Sequence, residues 1–255
     1  MVSAAILAGG SVKPDLQAQY GIASKGLVPL LGRTAVDFVV DAVRACPEIG
    51  KVALVGPEVY RDHPVAQRVE AFVPDAGSIP ANLLHAMTAL GETDNGLMVA
   101  GDSPLLTGEA LSDFLRQVPS DADLCYCAVS KAAVLREFPD REWTYIPLRE
   151  GPVVCTNVLF HDVDLLAGFQ ELAAQIEVAR RKPWKLAGLF GPWFLVKFLM
   201  GWLSIPAAER RLSQLLHANC RGHISDNALL AMDLDDSRDV PFVEGYLRRR
   251  QTGAS

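Results

Sequence analysis

Ser3-Ala4-Ala5-Ile6-Leu7-Ala8-Gly9-Gly10 is an apolar run of strand length that ends on paired glycines. Glycines at a strand end let backbone amides approach a phosphate with no side chain in the way. They equally make a tight turn from strand to helix, so their meaning depends on the residues downstream. Thr34 is a plausible N-cap for Ala35–Ala45, where Val36, Val39, Val40 and Val43 recur at helical spacing. The first units therefore read strand, loop, helix.

The same alternation continues along the chain. Lys51–Val55 and Val69–Val73 read as short strands, and Pro80–Leu90 as a helix with Leu83, Leu84, Met87 and Leu90 on one face. Gly96–Ala100 is a further strand, closed by Gly101-Asp102-Ser103-Pro104. Thr107 caps a helix to about Gln117, and Asp123–Val129 and Val153–Phe160 read as core strands. This is the pattern of an α/β protein around a largely parallel sheet. From 162 to 217 the rhythm changes to consecutive helices broken by Gly188, Gly191, Pro192, Gly201 and Pro206, which reads as a helical insertion within a single domain spanning 1–255. Leu229–Leu234 is expected to be a last strand and Ser237–Arg250 a closing helix with a basic end.

Composition narrows the function classes. The chain has 255 residues, half of them apolar and 21% charged, which excludes a disordered chain. Lys plus Arg number 24 against 30 Asp plus Glu, a net charge of −6, so no general attraction to nucleic acid is expected. Met1–Ala8 leads directly into the first strand without a basic region or cleavage site, an expectation of cytoplasmic residence. Five cysteines, Cys46, Cys125, Cys127, Cys155 and Cys220, are odd in number and sit mostly in apolar stretches, as reduced core thiols do.

Several residues could carry chemistry. Lys25, in a loop before Leu27–Leu31, could reach back to a phosphate held over the glycine turn, although loop lysines are usually just solvated. Asp102 stands where a strand ends, and open α/β sheets bind ligands outside those carboxyl ends. A carboxylate there can hold Mg²⁺ beside a triphosphate. Asp233-Leu234-Asp235-Asp236 sets two carboxylates two residues apart, either a second metal ligand or a solvated turn capping the last helix. His217, Cys220 and His223 have metal-like spacing but no evident fourth ligand, and read as polar loop residues. Asp37 with Asp41, and His85, read as solvated or locally bonded helix residues.

In order, these residues resemble the MobA-like nucleotidyltransferases. The resemblance rests on Ala5-Ile6-Leu7-Ala8-Gly9-Gly10, Lys25-Gly26-Leu27-Val28-Pro29-Leu30 with Gly32-Arg33, Gly77-Ser78, Val99-Ala100-Gly101-Asp102-Ser103-Pro104-Leu105-Leu106 and Met232-Asp233-Leu234-Asp235-Asp236-Ser237-Arg238-Asp239. It covers about 1–165 and 228–247. It implies a three-layer α/β/α sandwich with a mostly parallel mixed sheet, and a Mg²⁺-dependent enzyme. Such an enzyme moves a nucleoside monophosphate from a nucleoside triphosphate to a small phosphorylated acceptor, releasing pyrophosphate. Carried over by motif, Ala8, Gly9, Gly10 and Lys25 contact the triphosphate, Lys25 and Asp102 are catalytic, and Asp102 with Asp235 holds the metal. Gly77, Ser78 and Asn82 border the base, and Asn157 faces the acceptor. Where the family's loop continues with a further glycine and an arginine, this chain has Ser11, Val12, Lys13 and Pro14. Lys13 is the nearest substitute, a point charge without the arginine's fork. That departure motivates an alternative, a nucleotide- or metabolite-binding protein of the same fold without turnover. A nucleotide-sugar-dependent glycosyltransferase is a further alternative.

Leu186–Ile205 is rich in Phe, Trp and Leu and follows Arg180, Arg181, Lys182 and Lys185. Lys197 near its middle and the glycines and proline argue for two short helices rather than a membrane span. Their apolar faces suit packing on the sheet, a homodimer contact through 186–205, or peripheral seating on a membrane.

Overall fold

The structure, a computed structural model, describes residues 1–166, 168–172 and 188–252. Among them β1 (Val2–Leu7), β4 (Ile49–Gly56), β5 (Ala71–Pro74), β6 (Asn95–Ala100), β7 (Leu124–Ser130), β8 (Val153–Asp162) and β9 (Cys220–Ser225) form a seven-stranded sheet in the order β5-β4-β1-β6-β8-β7-β9. β8 runs antiparallel to both neighbours, while the β1, β4, β5 and β6 pairs and β7 with β9 are parallel. β2 (Pro29–Leu30) and β3 (Arg33–Thr34) form a small separate ribbon. Strand order reverses between β1 and β6, and both strands present their carboxyl ends on the same side. That is the switch point at which open α/β sheets form a ligand crevice.

Side-chain alternation gives the sheet two apolar faces. Ala4, Ile6, Val52, Leu54, Leu97 and Val99 point to one core. There they meet Val36, Val39, Val40 and Val43 of α2 (Ala35–Arg44), and Leu111 and Phe114 of α4 (Gly108–Gln117). Ala5, Ala53, Val55, Met98 and Leu159 point to the other, against Leu83, Ala86, Met87 and Leu90 of α3 (Ile79–Leu90). Each fully buried Val, Leu or Met contributes about 1.5–3 kcal/mol, so the two faces hold the three layers together. Asp37 accepts from the backbone N and Oγ1 of Thr34, which fixes the start of α2 where the sequence places it.

The chain also contains α1 (Pro14–Tyr20), α5 (Lys131–Glu137) and, between β8 and β9, α6 (Pro192–Leu199) and α7 (Ile205–Leu216). α8 (Asp239–Thr252) closes it, two residues later at each end than the sequence suggests. Arg180, Arg181, Lys182, Lys185 and Leu186 lie outside the described residues. Among the described residues no helix is long and apolar enough to cross a membrane.

The last strand is not Leu229–Leu234. Ala228–Ala231 is a short 3-10 turn with Ala228, Leu230 and Ala231 buried, and the final strand among the described residues is Cys220–Ser225, paired with β7. Of His217, Cys220 and His223 only His217 is a loop residue, capping α7 in a left-handed conformation, while the other two lie on an edge strand. Four of the five cysteines are buried, whereas Cys155 is exposed.

Candidate functional site

The site is built where β1 and β6 end. Backbone bonds tie the two strand ends and the Asp233 segment into one unit: Gly101 N donates to Leu7 O at 2.8 Å, and Leu234 N donates to Asp102 O at 2.9 Å. Ser24 fastens the lysine loop to β1 by donating to Ala8 O at 2.6 Å, and its Oγ accepts from Gly26 N at 3.1 Å. Tyr60 Oη lies 2.8 Å from the same hydroxyl, and burial pushes the tyrosine pKa up, so it stays a neutral hydrogen-bonding group. Gly26 fits this corner because a Cβ there would stand 2.6 Å from Tyr60 Oη and 3.1 Å from Gly101 O.

Lys25 is thereby held with its ammonium 2.6 Å from Asp102 Oδ2 and 3.3 Å from Asp235 Oδ1. Burial alone would lower its pKa, but attraction to Asp102, Asp235 and Asp233 outweighs burial and raises it. The side chain is therefore a fixed positive charge. Asp233, which the sequence reading passed over in favour of Asp235, takes the inward position. Burial and the neighbouring Asp102 and Asp235 carboxylates raise its pKa to about 6. Asn157 Nδ2 donates to Asp233 Oδ2 at 2.9 Å, and Arg141 stands 3.7 Å from Asp233 Oδ1. Asp235 is 54% exposed, on the outer side of the lysine.

These residues line a cavity of about 410 Å³ that contains Gly9, Gly10, Lys25, Asp75, Gly77, Ser78, Asn82, Asp102, Asn157 and Asp233. Asp75 is the second residue not foreseen. Its carboxylate accepts from Gly77 N at 2.8 Å and from Asn82 Nδ2 at 2.9 Å. The Asn82 and Gly77 bonds lower its pKa despite partial burial, with a smaller contribution from Gly10. A Cβ on Gly9 would collide with Asp75 Oδ2, so glycine there permits the close approach of the two loops. Asn82 has its amide nitrogen on Asp75 and its oxygen on Ala76 N at 2.7 Å, and so clamps this loop. Ser78 caps α3 by accepting from Ala81 N.

Ala8 lies under the pocket with its amide on Val55 O and its carbonyl on Ser24, both within the fold. Lys13, at the start of α1, stands 3.7 Å from Asp236 and lines a neighbouring hollow with Arg141, Asp235 and Arg238 rather than the glycine-lined cavity. Among the described residues lining that cavity, Lys25 is the one cation. No group of three or more His, Cys, Asp or Glu side chains is gathered for a metal among the described residues, His217, Cys220 and His223 included. Asp102 and Asp233 beside an anion pocket suit Mg²⁺, which takes most of its ligands from phosphate and water.

A glycine turn after β1, a lysine bound to an aspartate after β6 and a crevice at the switch point make an α/β domain with a candidate phosphate-binding site. Residues 4–186 match the MobA-like NTP transferase domain, and the chain belongs to that family. A hypothetical transferase from Thermus thermophilus is 31% identical, with a TM-score of 0.82 over 94% of this chain and 100% of that one. The 4-diphosphocytidyl-2C-methyl-D-erythritol synthase of Anaerococcus prevotii shares the fold at 14% identity, with a TM-score of 0.61 over 98% and 96% of the two chains. A CMP:2-keto-3-deoxy-manno-octonic acid synthetase in complex with CTP does so at 13% identity, with a TM-score of 0.59 over 98% of each. No curated protein matches the chain.

Proposed function

We propose that this protein is a Mg²⁺-dependent nucleotidyltransferase that moves a nucleoside monophosphate from a nucleoside triphosphate onto a phosphorylated acceptor. The observation that carries the reading is the meeting of Lys25, Asp102, Asp233 and Asn157 beside Gly9 and Gly10 in one cavity. An acceptor phosphate oxygen attacks the α-phosphorus in line, a new P–O bond forms, and the bond to the bridging oxygen breaks as pyrophosphate leaves with the electron pair. No side-chain nucleophile is required, so the protein acts by positioning and charge.

Each residue then has a task. Lys25 neutralises phosphate charge from a fixed position. Amides of the Gly9–Gly10 turn receive phosphate oxygens, with the turn held in shape by Asp75. Asn157, anchored on Asp233, orients the acceptor. Asp102 and Asp233 are the carboxylates fitted to hold Mg²⁺, with Asp235 at the outer edge; when bound, the ion would neutralise charge developing on the phosphoryl oxygens. Crowding of Asp233 against two carboxylates supports this, since a divalent cation relieves the like-charge repulsion that, after burial, raises its pKa.

The test is pyrophosphate release from CTP, GTP, ATP and UTP with Mg²⁺ and a panel of phosphate monoesters, alongside thermal stabilisation by each nucleotide. CTP is the first to try, because two solved structures of this fold carry cytidylyl chemistry in their names. A Mg²⁺-dependent stabilisation together with pyrophosphate release supports transfer. The absence of an arginine among the described cavity residues favours a second reading, a binder without turnover, which stabilisation without release would establish.

A further inference from the structure

The face of the sheet that carries Asn157 continues into a second cavity. It measures about 260 Å³ and lies between β7 and β8 below and α6 and α7 above. Tyr126, Ala128 and Cys155 form its floor, and Phe194, Phe198 and Leu212 its roof. Cys155 lies directly opposite Ala128 across the β7–β8 pair and two residues before Asn157 on β8. Residues two apart in the chain lie within about 7 Å of each other, and Asn157 lines the first cavity beside Met98 while Cys155 lines the second beside Tyr126, both on the Leu159 face of the sheet. Between them β8 carries an irregularity: Leu159 pairs with Tyr126 and Cys155 with Ala128. Such bulges recur beside active sites, where they re-aim a side chain.

The chemistry of the second cavity differs from that of the first. Its charged lining residues already have partners, Glu209 accepting from Gly222 N of the same wall at 2.9 Å and Arg221 paired with Asp121 at 3.0 Å. A sugar or polyol in this space would leave hydroxyls without partners, at a cost of about 1–3 kcal/mol each. An apolar hollow of this kind gains free energy by covering hydrocarbon. The helix above adds a second observation. No residue of α6 is buried, and Trp193, Leu199, Met200 and Trp202 around it are between 57% and 69% exposed. A chain longer than the cavity would leave it along apolar surface.

We propose that the acceptor is the phosphate monoester of a hydrocarbon alcohol, its phosphate at Asn157 and Lys25 and its chain over Cys155 in the cavity beneath α6. This rests on the transfer reading above. In the reaction the monoester oxygen bonds to the α-phosphorus and pyrophosphate departs, leaving the hydrocarbon unchanged in a nucleoside diphosphate ester.

The experiment compares binding and turnover of n-alkyl monophosphates from two to ten carbons, below their micelle concentrations, with glycerol phosphate and inorganic phosphate as references. The dissociation constant should fall up to about fourfold per methylene until the cavity is full. Ala128→Phe fills the floor and should abolish the dependence on chain length while nucleotide-induced stabilisation is retained. Phe198→Asp, on a helix outside the buried core, should do the same if the first variant misfolds. A chain-length dependence absent from the wild type, or unchanged in both variants, overturns the proposal. Pyrophosphate release as fast with glycerol phosphate as with decyl phosphate overturns it too, while leaving the transfer reading standing. Tight, length-dependent binding without pyrophosphate release from any nucleotide overturns the transfer reading and leaves the hydrocarbon cavity in place.

Discussion

Two parts of one sheet face are built to opposite specifications. At the β1–β6 end, glycines, short hydrogen bonds and paired charges hold Lys25, Asp102 and Asp233 in fixed relation. At the β7–β9 flank, α6 lies over an apolar cavity with none of its own residues buried. The first arrangement suits a reaction in which the protein supplies only position and charge; the second accepts bulk without specifying it. The largest effect should therefore come from removing charge at the first region. Asp102→Asn is expected to lower pyrophosphate release roughly 10²–10³-fold, the scale of losing one preorganised electrostatic group, with the thermal midpoint little changed. Asp233→Asn should cost more activity than Asp235→Asn. Equal losses, or a larger one at Asp235, would move the metal outward to the exposed carboxylate.

His161 bears on what the two regions share, because it lies on β8, the strand that connects them. It is fully buried, and a Cβ on Gly96 would collide with its ring. Desolvation, only partly countered by the Asp162 carbonyl, lowers its pKa to about 4 from 6.5. Between those values the unfolded chain binds the proton and the native state does not, so stability is complete above pH 6.5 and declines as pH falls towards 4. The full difference is about 3 kcal/mol by linkage. His161→Leu should remove this slope. Denaturant midpoints at pH 7.5 and pH 4.5 that change equally in wild type and variant would refute the assignment.

A methyl group sharpens the contrast at smaller scale. Gly26→Ala drives a Cβ against Tyr60 Oη and Gly101 O. It should cost about 1–3 kcal/mol, with reduced stabilisation by nucleotide because Lys25 shifts. Gly188, just ahead of α6, has nothing within 4 Å of the same added atom. Gly188→Ala should be neutral or slightly stabilising. Chemical denaturation of the two variants side by side measures the difference in fit directly.

The same contrast explains what could be read in advance. Ser3–Ala8, Gly96–Asp102, Thr34 with its helix, and Lys25 were legible because each signal is local: an apolar run, a cap, a glycine turn, a charge at a strand end. Asp75 and Asp233 were not, since their importance comes from partners far off in sequence, Gly9 and Asn82 for one and Asn157 and Arg141 for the other. The motif resemblance points to Asp235, and only three-dimensional burial sets Asp233 inward of it. Cys220–Ser225 escaped because Arg221, Gly222 and His223 interrupt any alternation, as an edge strand with one neighbour tolerates. Leu229–Leu234 reads as a strand for the converse reason, as Leu230, Ala231, Met232 and Leu234 are buried by a 3-10 turn and the segment after it rather than by a strand.

The smallest expected effect tests whether the flank is as open as its exposure implies. Leu199 is 69% and Trp193 65% exposed, so most of each side chain has no transfer free energy to lose. Leu199→Ser and Trp193→Ser should each stay within about 0.5 kcal/mol of wild type in denaturant unfolding. A cost above about 1 kcal/mol would mean that something covers this face in solution. Sedimentation at several protein concentrations then decides what covers it. If the cost vanishes on dilution while the wild type dissociates, the cover is a second copy of the chain. If the wild type is monomeric throughout, α6 packs more deeply on its own sheet, and the difference between the two regions is smaller than their burial suggests.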